Sequence, residues 1–313
     1  MSTVEPVDSG QRTLSVLSIV AAVSTLWLIF VGGSVTSNDA GLAVPDWPTT
    51  FGDNMFAYPP SRWVGDVFFE HTHRLTGAAV GVVMILLAVL TQLRERRAWV
   101  RRFAWVLLGG VVVQGVMGGL RVTELSVSLA IVHGCFAQLF FAGTVCMAMF
   151  LSKGWRAAGS GSVDVSTFWK GVTLATSLAI LGQLIAGARY RHLDVGLAYH
   201  VAGAVVVTIM VSLAVMWVSG ELHGQPLLMR PAKVMGGVLV LQLFLGVGAY
   251  MMRIRETPDG AGGFFQWAVP TLHVLAGAVV LAASVALTAG VYHVSRGQDV
   301  SSRTVGTVGV SQA

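Results

Sequence analysis

Apolar stretches long enough to cross a bilayer recur eight times along this chain, and no other feature narrows its folding choices as far. The hydrocarbon core is about 30 Å thick, so a spanning helix needs about 20 predominantly apolar residues. Runs of that kind cover 14–35, 75–93, 103–120, 125–151, 168–188, 196–218, 234–252 and 267–291. In lipid the backbone N–H and C=O groups must be satisfied internally, which leaves helices for segments of this length. The expected fold class is all-α: a polytopic membrane protein of eight transmembrane helices, arranged as two tandem four-helix bundles. Composition agrees, with 54% hydrophobic and 11% charged residues against about 25% charged in soluble domains. The 37 glycines suit helices packed closely in lipid.

The formal net charge of +5 is distributed by membrane side. Arg94, Arg96, Arg97, Arg101 and Arg102 lie between runs two and three, Lys153, Arg156 and Lys170 between four and five, and Arg230 and Lys233 between six and seven. Arg12 precedes the first run, and Arg296 and Arg303 follow the last. By the positive-inside rule these segments and both termini are cytoplasmic, in a multi-pass protein of the inner (plasma) membrane. The basic balance therefore reports topology among membrane lipids and not a nucleic-acid partner. Glu5 and Asp8 precede Arg12, so the first run lacks the basic start of a secretory signal and reads as the first span. Cys135 and Cys146 share one span, where eleven residues of helix separate them by about 16 Å, too far for a bridge.

The expected organisation is a cytoplasmic tail (1–13), an N-terminal four-helix half (14–152) with an outer loop at 37–67, and a Gly/Ser/Ala-rich linker (153–167). A C-terminal half (168–293) and a disordered tail (294–313) follow.

Chemistry concentrates at one level. His73, His133, His200 and His273 stand early in spans two, four, six and eight, all of which run from outside to inside. His192, His223 and His293 read instead as solvated surface. The halves also look like repeats: QGVMGGLR at 114–121 resembles QLFLGVGA at 242–249, and VGGSVTS at 31–37 weakly echoes IAGARYR at 185–191. Two imidazoles facing each other across a bundle suit bis-histidine haem ligation, each giving one neutral nitrogen to the iron. A lone intramembrane histidine more simply bonds a neighbouring carbonyl, but four at one depth, duplicated between halves, argue against that. Zinc suits the set less well, because carboxylate and thiolate partners are missing from three of the four helix starts.

Haem carries propionates, and arginines stand at the same level: Arg74, Arg121, Arg189 and Arg191, Arg253 and Arg255. Guanidinium groups bind carboxylates bidentately, which makes Arg74, Arg121, Arg189 and Arg253 candidate cofactor-binding residues. Snorkelling at helix ends accounts equally well for any single one.

Three motifs then resemble a known family, haem A synthase. Glu70-x-x-His73-Arg74 matches its Glu-x-x-His-Arg signature. The loop GLAVPDWPTTFG at 41–52 resembles its outer loop, and VHGCFAQLFFA at 132–142 resembles its fourth helix. The likeness covers about residues 14–293. It implies oxidation of the C8 methyl of haem O to a formyl group, making haem A for terminal oxidases. It further implies that His73 and His133 bracket the substrate haem while His200 and His273 hold a haem b prosthetic group, so that all four are axial iron ligands. Haem O synthase and an electron acceptor are the partners it suggests, and it leaves room for a homo-oligomer. Many members carry two cysteines around the Pro-Asp-Trp-Pro core; here those positions are Val44 and Thr50, so a thiol step or loop disulfide has no residues to use.

Glu70 and Arg74 flank His73, whereas Leu197 and Val201 hold the matching places around His200. Oxidising a methyl group leaves positive character on carbon, which a carboxylate can stabilise or deprotonate. Glu70, His73 and His133 are thus the catalytic candidates, with a plain i,i+4 ion pair between Glu70 and Arg74 as the structural alternative. Two rival functions share the helices: a non-catalytic dihaem b-type electron carrier and, from a different class, a transporter built of repeats.

Overall fold

A computed structural model describes residues 9–158, 163–254 and 263–295 of the chain. Among these residues there is no β-strand, and eight helices are long and apolar enough to cross a membrane. They are α1 (Ser9–Ser37), α2 (Asp66–Arg94), α3 (Ala98–Thr123), α4 (Val127–Phe150), α6 (Thr167–Leu193), α7 (Leu197–Glu221), α8 (Pro226–Ile254) and α9 (Phe264–Ser295). A ninth, α5 (Lys153–Ala158), is a short helix within the stretch expected as linker. Its Trp155 is buried and stacks on His293 with ring centroids 3.8 Å apart, and His293 Nε2 lies 2.9 Å from the Trp155 carbonyl oxygen. His293, expected at the surface, is therefore packed. Residues 1–8 and 296–313, which hold most of the two expected tails, lie outside the described residues.

Six of the eight long helices start earlier than hydropathy suggests, α4 and α7 being the exceptions. The second span was expected from residue 75, yet α2 begins at Asp66, after Gly65 has turned the chain at φ 56°. Glu70, His71, His73 and Arg74 are consequently inside the helix rather than at its mouth. Their polar side chains lower the apolar signal without breaking the helix, because Glu70, Arg74 and Nδ1 of His71 find partners in the loop above. At α4, Ser126 caps the start by accepting a hydrogen bond from the Leu129 N–H (3.2 Å), one of the orphan donors of the first turn.

Each set of four long helices packs in the same pattern. α1 lies along α2, α2 along α3, α3 along α4, and α4 returns against α1; α6, α7, α8 and α9 repeat this circuit. The sets meet through their first and last helices, with α4 against α6 and α9, and α1 against α9. α9 is the most enclosed element: 72% of its apolar window is buried, against 39% or less for the other seven. Its alanines and glycines, among them Ala278, Ala282 and Gly277, allow that approach, since small residues let helix backbones come together in lipid. Hydroxyls add polar ties, with Ser177 of α6 at 2.9 Å from Ser284 and 3.1 Å from Thr288 of α9. At the other end Arg191 of α6 donates to the Gly33 carbonyl (3.1 Å) and the Ser37 hydroxyl (2.6 Å) of α1, crossing between the sets.

Candidate functional site

The even-numbered spans (α2, α4, α7, α9) begin at the end of the molecule that carries the 38–65 loop, and the basic connections sit at the opposite end. At the loop end the four histidines meet in two pairs. The rings of His73 and His133 have centroids 6.4 Å apart at 84°, and those of His200 and His273 are 6.3 Å apart at 86°. Two imidazole nitrogens bound axially to one metal ion, each about 2 Å from it, would set ring centroids about 6 Å apart. Both pairs have that spacing. Among the described residues no cluster of three or more His, Cys, Asp or Glu side chains is poised to hold a metal. A two-nitrogen donor set fits iron already held in a macrocycle, and does not fit four-coordinate zinc.

Each ring has a seat. A Cβ on Gly32 would come within 2.8 Å of Cε1 of His73, and Gly118, Gly187 and Gly246 stand in the same relation to His133 (3.2 Å), His200 (2.8 Å) and His273 (3.0 Å). Every paired histidine thus lies edge-on against a glycine of the preceding span. This corrects the register of the weaker repeat. The sequence echo aligns Val31 with Ile185, but Gly32 and Gly187 are the equivalent positions, one residue out of that alignment. The QGVMG and QLFLG segments keep their register, since Gly118 and Gly246 both serve as seats.

Above the first pair the 38–65 loop is tied down by charge. Glu70 is 4% exposed; its Oε1 accepts from Arg74 Nη2 at 2.6 Å and its Oε2 from the Val44 N–H at 3.0 Å. Arg74 also donates to the carbonyls of Asp46 (2.7 Å), Thr49 (2.9 Å) and Val44 (3.0 Å), so one guanidinium ties down the 44–49 stretch of the loop. The Asp46 carboxylate in turn accepts from the Phe51 and Gly52 N–H groups, both at 2.8 Å, and from the Thr49 hydroxyl. Burial alone would raise the Asp46 pKa, but these hydrogen bonds outweigh it and hold the group below its ordinary 3.8. The Trp47 indole packs over Gly119, where any Cβ would collide with it, one residue from the seat of His133. Arg121 donates to the Gly41 carbonyl and lines, with Asp39 and His192, a polar cavity of about 200 Å³.

Val44 and Thr50, the positions where the resembled family often has cysteine, are both fully buried. The Thr50 hydroxyl lies 3.3 Å from Nδ1 of His71. His71 is itself fully buried, boxed by Tyr58 (5.3 Å) and Trp63 (4.7 Å), and belongs to the underside of the loop rather than to a histidine pair.

The remaining arginines of interest differ among themselves. Arg189 is exposed. Arg253 pairs with Asp194 at 3.0 Å and lies over the Tyr190 ring. Arg255 lies outside the described residues. Arg191, placed by the sequence at the outer level, bridges the two helix sets, and three contributors were not singled out from the sequence: the glutamines Gln114, Gln183 and Gln242. A signal for the last three existed in the spacing Gln-x-x-x-Gly, which occurs ahead of three of the four glycine seats.

Over residues 15–295 the chain matches the family described as cytochrome oxidase assembly protein. It is 30% identical over 221 residues to a protein named heme A synthase from Caulobacter sp. (strain K31), a match covering 60% of this chain and 63% of that one. Proteins of the same name from Shouchella clausii (strain KSM-K16) and Exiguobacterium sibiricum are 25% and 24% identical over 190 and 195 residues. Those matches cover 60% and 61% of this chain, and 62% and 63% of theirs. The chain therefore spans a little under two thirds of the length of these relatives.

Proposed function

The chain belongs to the cytochrome oxidase assembly protein family, and we propose that it is a membrane oxidoreductase that makes haem A, oxidising the C8 methyl of haem O to a formyl group. The carrying observation is an inequality between two matched histidine pairs. Both have the ring spacing of an axial ligand pair, but among the described residues only the first has a buried carboxylate on its own helix and a folded loop above it.

In this reading His73 and His133 hold the iron of the substrate, haem O. Glu70 stands one turn toward the loop from His73 on the same helix face. Each Glu70 oxygen has one hydrogen-bond donor in the structure and keeps further acceptor capacity. It can accept a proton, or oppose positive charge, at the carbon being oxidised. Arg74 orients that carboxylate and holds the loop, which keeps water from the reacting group. His200 and His273 would hold haem b, whose chemistry when bound is one-electron transfer. Exposed Arg189 and Arg253, and Arg121 at the polar cavity, are the cations best placed for propionates. The basic end faces the cytoplasm, so the reaction site opens on the opposite face of the membrane. Haem O synthase is the partner that would supply substrate, and a separate electron acceptor would remove the reducing equivalents.

The Glu70–Arg74 pair also favours a second reading, in which Glu70 serves the loop alone and the protein is a dihaem electron carrier. Extracting haem from membranes of a host that makes haem O separates the two. Haem A should appear only when the intact chain is expressed; recovery of haem O and haem b alone would overturn the enzyme reading.

A further inference from the structure

The four histidine seats are built alike except for one side chain. Four residues before Gly118, Gly187 and Gly246 stand Gln114, Gln183 and Gln242; four residues before Gly32 stands Leu28. Each glutamine reaches the histidine of its seat. Gln183 Nε2 lies 2.8 Å from the His200 carbonyl oxygen and 3.0 Å from its Nδ1. Gln114 Nε2 donates to the His133 carbonyl at 3.3 Å, and Gln242 Nε2 lies 3.5 Å from His273 Nε2.

The unpaired atoms match one another. The side-chain oxygens of all three glutamines are buried without a donor, and Nδ1 of His133 and of His273 are buried without an acceptor. Buried polar groups are nearly always hydrogen-bonded, so such orphans point to a state of the site in which they are used. An imidazole that gives Nε2 to a metal keeps its proton on Nδ1, and that N–H calls for an acceptor that fixes the tautomer and raises ligand basicity. A carboxamide oxygen can be such an acceptor once the side chain, whose nitrogen faces the histidine in the structure, turns its oxygen toward Nδ1. Nδ1 of His73 is also buried and unpaired, and Leu28 has no oxygen to offer it.

We propose that Gln114, Gln183 and Gln242 are positioning residues that orient His133, His200 and His273 and strengthen them as ligands, and that Leu28 leaves His73 the exchangeable ligand of its pair. The inference rests on the haem reading given above and deepens it. A site that takes in one haem and releases another needs a ligand that lets go. A site that retains its haem needs two that do not. Losing an outer partner of a metal-bound histidine typically weakens binding about 10–100-fold, and gaining one should act oppositely.

The test uses full-length protein carrying His200→Ala and His273→Ala, loaded with iron protoporphyrin IX as the probe, and follows haem transfer to apomyoglobin. Leu28→Gln should slow transfer about 10–100-fold and Gln114→Leu should speed it by a similar factor. With the C-terminal histidines intact, Gln183→Glu keeps an oxygen acceptor and should lower the midpoint potential of the C-terminal haem, whereas Gln183→Leu should raise it. A glutamine that only braces the helix backbone predicts no such opposition. Unchanged transfer rates in the Leu28 and Gln114 variants, or equal potentials in the two Gln183 variants, would overturn the proposal. If adding His73→Ala and His133→Ala leaves the haem content of the loaded protein unaltered, the haem reading of the first pair falls instead.

Discussion

The first two helices of each half make the most instructive comparison. α1 and α2 are joined by residues 38–65, a loop with its own internal turns, whereas α6 and α7 are joined by Asp194–Gly196 alone. Glu70 and Arg74 occur only in the half with the long loop, and their counterparts Leu197 and Val201 are apolar. The charges and the loop are therefore one unit: each ionised group in the helix finds its partners in the other or in the backbone folded over it. A duplicated histidine scaffold has been made to differ by what covers it. Such division of labour is common, because rigid elements hold geometry while connecting segments carry specificity.

The strongest way to break this comparison is to remove ligands from one side only. On the proposed function, His200→Ala or His273→Ala should abolish stably bound haem b while the protein still inserts, read as loss of the low-spin b-type spectrum. His73→Ala and His133→Ala should spare most of that signal and impair substrate conversion. Equal loss from both halves would end the idea of specialised sites.

Next in size is Glu70→Gln. Losing a charge that stabilises a transition state costs on the order of 10²–10³ in rate. Haem O or a partly oxidised alcohol should then accumulate while the C-terminal haem spectrum stays intact. Near-normal haem A formation by the well-folded variant would assign Glu70 to the loop alone.

Arg74→Gln sharpens the comparison structurally. It strands the buried Glu70 carboxylate and frees three loop carbonyls, and breaking a buried ion pair from one side costs about 3–5 kcal/mol. Limited proteolysis from the loop side should cut within 38–65 far faster than in the parent, with no change around His200 and His273. An unchanged cutting rate would mean the guanidinium is not what holds the loop.

Smaller and local effects are expected at the seats. Overpacking typically costs about 1–3 kcal/mol, so Gly187→Ala should perturb the C-terminal haem spectrum and Gly32→Ala the loading of the N-terminal site. Spread of either effect into the other half would show that the seats are not independent.

The smallest effect concerns pH. Because Asp46 titrates below its ordinary 3.8 in the folded loop, its contribution is full above that value and is lost as pH falls through the lower, folded one. Proteolytic sensitivity of the loop should rise only under acid, and Asp46→Asn should remove this dependence.

Span number and the pairing of histidines were legible because both follow from period and length: lipid demands about 20 apolar residues per crossing, and alternate spans enter from one face. The true start of α2 was not, since hydropathy counts Glu70, His71 and Arg74 as breaks while the backbone continues through them. The segment was legible as an outer loop but not in its wiring. The targets of Arg74 are main-chain carbonyls, which leave no trace in residue identity. The one-residue error in the second repeat has a similar origin. In VGGS either glycine could serve as the seat, and only contact with His73 distinguishes Gly32 from Gly33, which faces Thr271 instead.

The burial of α9 bears on how the protein comes into being. Synthesis runs from the N-terminus, and helices enter the membrane in chain order. His73 and His133 are both in place once α4 has been made, but His273 lies on α9, the last of the eight spans. The C-terminal pair is therefore complete only after every other span has inserted. Until then α1, α4 and α6 present to lipid the faces that α9 later covers. Completion of the second histidine pair is in this way placed after translation of all eight spans, and a ribosome stalled before residue 264 leaves a chain with its first histidine pair formed and its second without a partner.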